Sequence, residues 1–161
     1  MMSVRANSPS RSTRRRFLAG VAAAACAPVL LTTQRATATP DAMKAAIKAV
    51  TGNATVAAGR VKLDLPALVE NGNTVPLTVS VESPMTAESH VKAIHILTEK
   101  NPQPNVVSFH LGPRAGSATV ATRIRLADTQ QVVAIAQMSD GSFYSDSMDV
   151  IVTLSACLED G

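Results

Sequence analysis

From Arg60 onward the chain alternates apolar and polar residues in short runs interrupted by Pro, Gly and Asn. A period of two sends successive side chains to opposite faces of an extended backbone, so the pattern predicts strands near 60–65, 75–82, 90–98, 105–111, 117–126, 130–138, 142–145 and 147–155. Between them lie Glu70-Asn71-Gly72-Asn73, Lys100-Asn101-Pro102-Gln103-Pro104-Asn105, Gly112-Pro113-Arg114-Ala115-Gly116 and Ser139-Asp140-Gly141, each rich in residues that supply turn geometry. Closely spaced strands with tight connections predict an all-β domain, an antiparallel sandwich. Ahead of the strands, Asp41–Val50 changes period: Met43, Ala46, Ile47 and Val50 recur at helical spacing behind an acidic start, and Gly52-Asn53 ends the run.

The last alternating stretch puts Val150, Val152, Leu154 and Ala156 on one face, and Ile151, Thr153, Ser155 and Cys157 on the other. Cys157 thus falls on the more polar side, four residues before Gly161. The region 39–154 reads as the β-domain with its N-terminal helix, and 155–161 as a C-terminal arm carrying the cysteine.

Residues 1–38 follow another pattern. Arg5, Arg11, Arg14, Arg15 and Arg16 run into Phe17, Leu18 and an apolar segment through Leu31, and Thr13-Arg14-Arg15-Arg16-Phe17-Leu18 has the twin-arginine form of a bacterial export signal for folded cargo. The apolar segment is shorter than the roughly 20 residues that span a bilayer, and Ala36-Thr37-Ala38 offers small residues before a cut after Ala38. The alternatives are an uncleaved anchor, a disordered basic tail, or lipidation at Cys26, where Ala23, three residues before it, is smaller than the aliphatic residue of a lipoprotein box. The leader holds six of the fifteen basic residues and none of the twelve acids, so cleavage turns a net charge of +3 into −3. The basic balance therefore belongs to the export signal and gives no support for a nucleic-acid partner or for membrane association after cleavage. A periplasmic location is the expectation.

What remains is long enough for one domain with a core of its own. There is no Trp, and Phe109, Phe143 and Tyr144 are the aromatic residues left, so burial falls to Val, Ile, Leu and Ala.

Two readings of Cys157 stand side by side. A lone thiol in an oxidising compartment calls for a function, whereas a free cysteine is also a common small buried hydrophobe. An arm from Leu154 to Cys157 spans about 10 Å when extended, a geometry for carrying and not for catalysis. Enzymic use would need a base, and the candidates are His90, His95 and His110. None has triad or ligand spacing, and surface or partner contact is the alternative. No phosphate loop, paired-carboxylate pattern or Ser-His-Asp signature is present, and no cofactor or metal is expected. Met85, Met138 and Met148 read as core filler.

The stretch Glu70-Asn71-Gly72-Asn73-Thr74-Val75-Pro76-Leu77, then Ser83-Pro84-Met85, Asn101-Pro102, Phe109-His110-Leu111-Gly112-Pro113-Arg114, Thr122-Arg123-Ile124-Arg125-Leu126-Ala127 and Ser139-Asp140-Gly141-Ser142-Phe143 resembles SoxY, the sulfur-carrier subunit of thiosulfate-oxidising Sox systems. The resemblance implies an immunoglobulin-like sandwich without catalysis of its own, a heterodimer with a SoxZ-like subunit, and transient contact with Sox-type haem and dimetal enzymes. It also implies covalent sulfur attachment at Cys157 on a swinging arm. Where that family ends Gly-Gly-Cys-Gly-Gly, this chain has Ser155-Ala156-Cys157-Leu158-Glu159-Asp160-Gly161, an arm of the Ala-Cys-(Ile/Leu)-Glu type. Alanine and leucine stiffen and thicken such an arm, and Glu159 and Asp160 place negative charge beside the thiol, which disfavours thiolate and repels anionic thiosulfate.

Overall fold

A computed structural model of the chain describes residues 39–156. The leader, Cys157, Leu158 and Glu159 lie outside the described residues.

Helix α1, Pro40–Thr51, begins where the sequence places it. The Thr39 hydroxyl accepts the Ala42 amide at 3.2 Å, Pro40 occupies the first turn, and Gly52 ends the helix at φ 65. The strands are β1 (Val56–Ala58), β2 (Val61–Asp64), β3 (Leu68–Val69), β4 (Val75–Val81), β5 (Val91–Thr98), β6 (Asn105–His110), β7 (Thr119–Ile124), β8 (Gln130–Met138) and β9 (Phe143–Val152), with a 3-10 turn at Pro113–Ala115. The larger sheet runs β1-β9-β8-β5-β6, with β3 also on β9, and the smaller runs β2-β4-β7. Pairings are antiparallel except those of β1 and β3, which join β9 in parallel at either end of the same edge.

The two sheets bury their facing sides against each other. Leu63, Val75, Leu77 and Val79 from the smaller sheet meet Ile94, Ile96, Val132, Ala134, Val150 and Val152 from the larger, with Met85 and Met138 in the same cluster and Met148 packed on it half-buried. These three methionines thus lie in or on the core, as expected of core filler. The opposite side of the larger sheet receives α1, whose Met43, Ala46, Ile47 and Val50 cover Leu97, Val133, Ile135 and Phe143. The sandwich is the architecture the alternation predicted, and the packing of the helix on its back is added by the structure.

Three details differ from the sequence reading. The strands expected at 142–145 and 147–155 are one strand, β9, because Asp146 stays in the ladder and its carboxylate accepts the Leu63 amide across the sandwich at 2.9 Å. Strands β1 and β3 were not anticipated, since two or three residues cannot display a period. Finally, β9 stops at Val152, and Leu154 is exposed instead of following Val150 and Val152 into the core. The chain bends there because Thr153 donates to the Val69 carbonyl at 3.0 Å and the Leu154 carbonyl accepts the Gly72 amide at 2.8 Å, bonds that leave the β8 side of the ladder.

Candidate functional site

Among the described residues, the C-terminal end of β9 is held by three loops, and the turn motifs quoted above build its seat. In the turn after β3, Asn71 folds back through its own side chain, accepting the Asn73 amide at 2.9 Å. This presents the buried backbone of Gly72. Its amide donates to Leu154 and its carbonyl accepts the Leu126 amide, both at 2.8 Å. Leu126 in turn accepts the Ala156 amide at 3.1 Å, so Gly72, Leu126 and residues 154–156 close a ring of main-chain bonds.

Gly72 is required here for space. A Cβ on it would lie 2.4 Å from the Leu126 carbonyl oxygen, 2.9 Å from the Ala156 nitrogen and 3.1 Å from a Val152 methyl. The first two are backbone atoms, which cannot rotate aside.

Leu126 is fixed from the other side by Asn101. The Asn101 amide donates to the Arg125 carbonyl at 2.8 Å while its oxygen accepts from the Ala127 amide at 3.0 Å, so the two residues flanking Leu126 are gripped by one side chain. The same oxygen accepts from buried Gln130 at 3.0 Å, and Gln130 accepts the Lys100 amide at 2.7 Å. Lys100 adds a 3.1 Å ion pair with Asp128, which holds that carboxyl below the usual range. Thr129 closes the cluster by accepting the Val152 amide at 3.0 Å. The Leu126 side chain is fully buried beneath it.

Of the residues assigned to the arm, Ser155 is exposed on this seat and Ala156 is buried in it. Cys157, Leu158 and Glu159 lie outside the described residues.

The histidines fall in two places. His90 precedes β5 and its Nδ1 lies 3.0 Å from the Thr86 carbonyl. His95 and His110 come from neighbouring strands and meet edge to face with ring centroids 6.3 Å apart, and His95 Nδ1 lies 2.8 Å from the Ser108 hydroxyl. Partial burial, and then the proximity of His110, lower the His95 pKa from its ordinary 6.5. Sequence spacing could not find this pair, because it depends on the β5–β6 register. Among the described residues, no group of three or more His, Cys, Asp or Glu is placed to hold a metal.

A two-sheet β-sandwich with one helix on its back, whose last strand is tied down at residues 152–156 by the turns around Gly72, Asn101 and Leu126, defines the fold class. The family model of the sulfur oxidation protein SoxY matches residues 47–157, and the chain belongs to that family. Among solved structures, the sulfur carrier protein SoxY from Chlorobium limicola f thiosulfatophilum is 30% identical, with a TM-score of 0.60 over 71% of this chain and 98% of that one. A superoxide reductase (neelaredoxin) from Ignicoccus hospitalis is 16% identical, with a TM-score of 0.53 over 58% of this chain and 80% of its own. A putative superoxide reductase from Thermotoga maritima is 19% identical, with a TM-score of 0.50 over 61% and 87%. At those identities the two reductases share the fold alone. No curated protein matches the chain.

Proposed function

We propose that the mature chain is a periplasmic sulfur-carrier subunit, exported by the twin-arginine route, that holds sulfur-oxidation intermediates covalently on Cys157. It presents them to Sox-type enzymes while paired with a SoxZ-like subunit, and performs no catalysis itself. The observation that carries the reading is the extent of the family match, which runs through the whole seat and ends on Cys157. The chemistry suits a thiol: joining the thiolate to thiosulfate makes an S–S bond and releases two electrons to the haem-type partner enzyme, a reductant reverses that bond, and a carrier needs only a fixed body and an accessible end. The Ala-Cys-Leu-Glu arm, with its added bulk and negative charge, bears on the identity of the sulfur species.

Intact mass of the protein isolated without reductant, from cells grown with and without thiosulfate, tests this. A thiosulfate-dependent, reductant-sensitive addition on Cys157 is the expected result, together with cleavage after Ala38. An unmodified mass under both conditions overturns the carrier role and leaves a scaffold module of SoxY descent.

A further inference from the structure

The chain contains one Asn-Gly pair, Asn71-Gly72, and it sits in the turn that receives the C-terminal end of β9. This dipeptide carries a chemistry of its own. Glycine has no side chain to crowd its nitrogen, so the nitrogen following an asparagine closes readily on the side-chain amide carbon, forming a five-membered ring.

The folded domain restrains both reactants. Gly72 is buried and its amide donates to the Leu154 carbonyl at 2.8 Å, which keeps its proton from solvent base. The Asn71 side-chain oxygen accepts from the Asn73 amide at 2.9 Å and from the Asn73 side chain at 3.1 Å, so the group to be attacked is pinned as well. The main chain just before it is held by Thr153, whose amide donates to the Val69 carbonyl at 3.0 Å and whose hydroxyl donates to the Glu70 carbonyl at 3.2 Å. Asn71 itself is exposed, so water and base reach it. The restraints on the main chain come from one segment, Thr153 and Leu154, and when that segment lifts the Gly72 nitrogen is freed.

We infer that Asn71-Gly72 is a site of spontaneous conversion of asparagine to acid, gated by the Gly72–Leu154 hydrogen bond, and that the conversion releases the end of β9 from its seat. Base removes the Gly72 amide proton, the nitrogen bonds to the Asn71 side-chain carbonyl carbon, and the bond from that carbon to Nδ2 breaks with ammonia leaving. Water then opens the cyclic imide, at the side-chain carbonyl to give aspartate or at the main-chain carbonyl to give an isoaspartyl linkage. No atom changes oxidation state, and water and base are the only co-reactants. The isoaspartyl product has one more carbon in the main chain between positions 71 and 72. The seat has no room for that shift, since Gly72 is bonded on both sides at 2.8 Å and even a methyl group on it would press on the Leu126 carbonyl and the Ala156 nitrogen. Loss of ammonia makes the change one-way.

The test incubates the purified full-length chain at mildly alkaline pH and follows position 71 by peptide mapping and isoaspartate-specific methylation. It compares folded wild type, wild type unfolded in urea, and folded Asn101→Ala, whose lost grip on the residues flanking Leu126 loosens the seat. The expected result is conversion at least about tenfold slower in folded wild type than in urea, and roughly threefold to tenfold faster in Asn101→Ala than in folded wild type. Should Asn101→Ala fail to fold, wild type in urea below its unfolding transition takes its place, with the conversion rate rising in step with hydrogen exchange of the Gly72 amide. Absence of conversion at Asn71 in the unfolded chain overturns the site. Equal rates in folded and unfolded chain, or a rate that ignores Gly72 exchange, overturn the gate. Isoaspartyl protein that keeps wild-type protection of the Leu126 and Ala156 amides overturns the release.

Discussion

The amide of Ala156 donates to the carbonyl of Leu126 at 3.1 Å, and this bond ties the last described residue into the folded domain. The residues that read as the start of an arm are thus partly integrated into the sandwich, through a leucine whose neighbours are both gripped by Asn101.

Gly72→Ala forces a methyl group against that ring, and neither the Leu126 carbonyl nor the Ala156 nitrogen is free to yield. The expected loss is about 1–3 kcal/mol of stability, with faster hydrogen exchange at the Leu126 and Ala156 amides. Equal melting temperature and unchanged protection of those two amides count against the spatial argument.

Asn101→Ala strips the Ala127 amide, the Arg125 carbonyl and the Gln130 side chain of a shared partner. A cost of about 1–3 kcal/mol is expected in urea unfolding. Asn101→Asp keeps the acceptor but loses the donor to Arg125, and falls between the two; a full rescue by Asp refutes the role given to the amide.

Thr98 is fully buried and its hydroxyl has no hydrogen-bond partner among the described residues. Thr98→Val keeps the shape and removes the unpaired group, and it is expected to stabilise by about 1 kcal/mol. A destabilised Val variant points to a partner for the hydroxyl, such as a bridging water.

His95 makes stability depend on pH. Burial and then His110 lower its folded pKa below 6.5, so between the folded value and 6.5 the unfolded chain binds more protons than the folded one. Stability is then greatest above about 6.5 and falls as pH drops below it. His95→Gln should flatten that decline in melting temperatures taken from pH 7.5 to 5; an identical slope means other groups set it.

Sequence patterning located the helix and the long strands, because Met43–Val50 and the runs around Leu77, Ile94 and Ile135 repeat often enough to show a period. It marked Asn71-Gly72 and Asn101-Pro102 as turns but could not show what they grip. Asn101 reaches residues more than twenty positions away, and the demand on Gly72 comes from two carbonyl and amide atoms of other segments. The alternation also carried Leu154 inward, since a period knows nothing of bonds that pull the backbone aside. The neighbouring His95 and His110 share no spacing at all, only a register.

The parallel attachment of β1 and β3 to β9 has a further consequence for how the domain comes together. Their partners lie more than eighty residues downstream, as do Asp146, whose carboxylate accepts the Leu63 amide, and Thr153, whose hydroxyl donates to the Glu70 carbonyl. Strands β1 and β3 therefore have no edge to join until the last strand exists, whereas β2 pairs locally with β4. Closing loops of that length is slow relative to making local hairpins, so β2 and β4–β8 can assemble while β1 and β3 wait for β9. A ribosome that has not yet released Phe143–Val152 is holding a sandwich with an unfinished edge, and chain shortened within that stretch is a folding defect before it is a functional one.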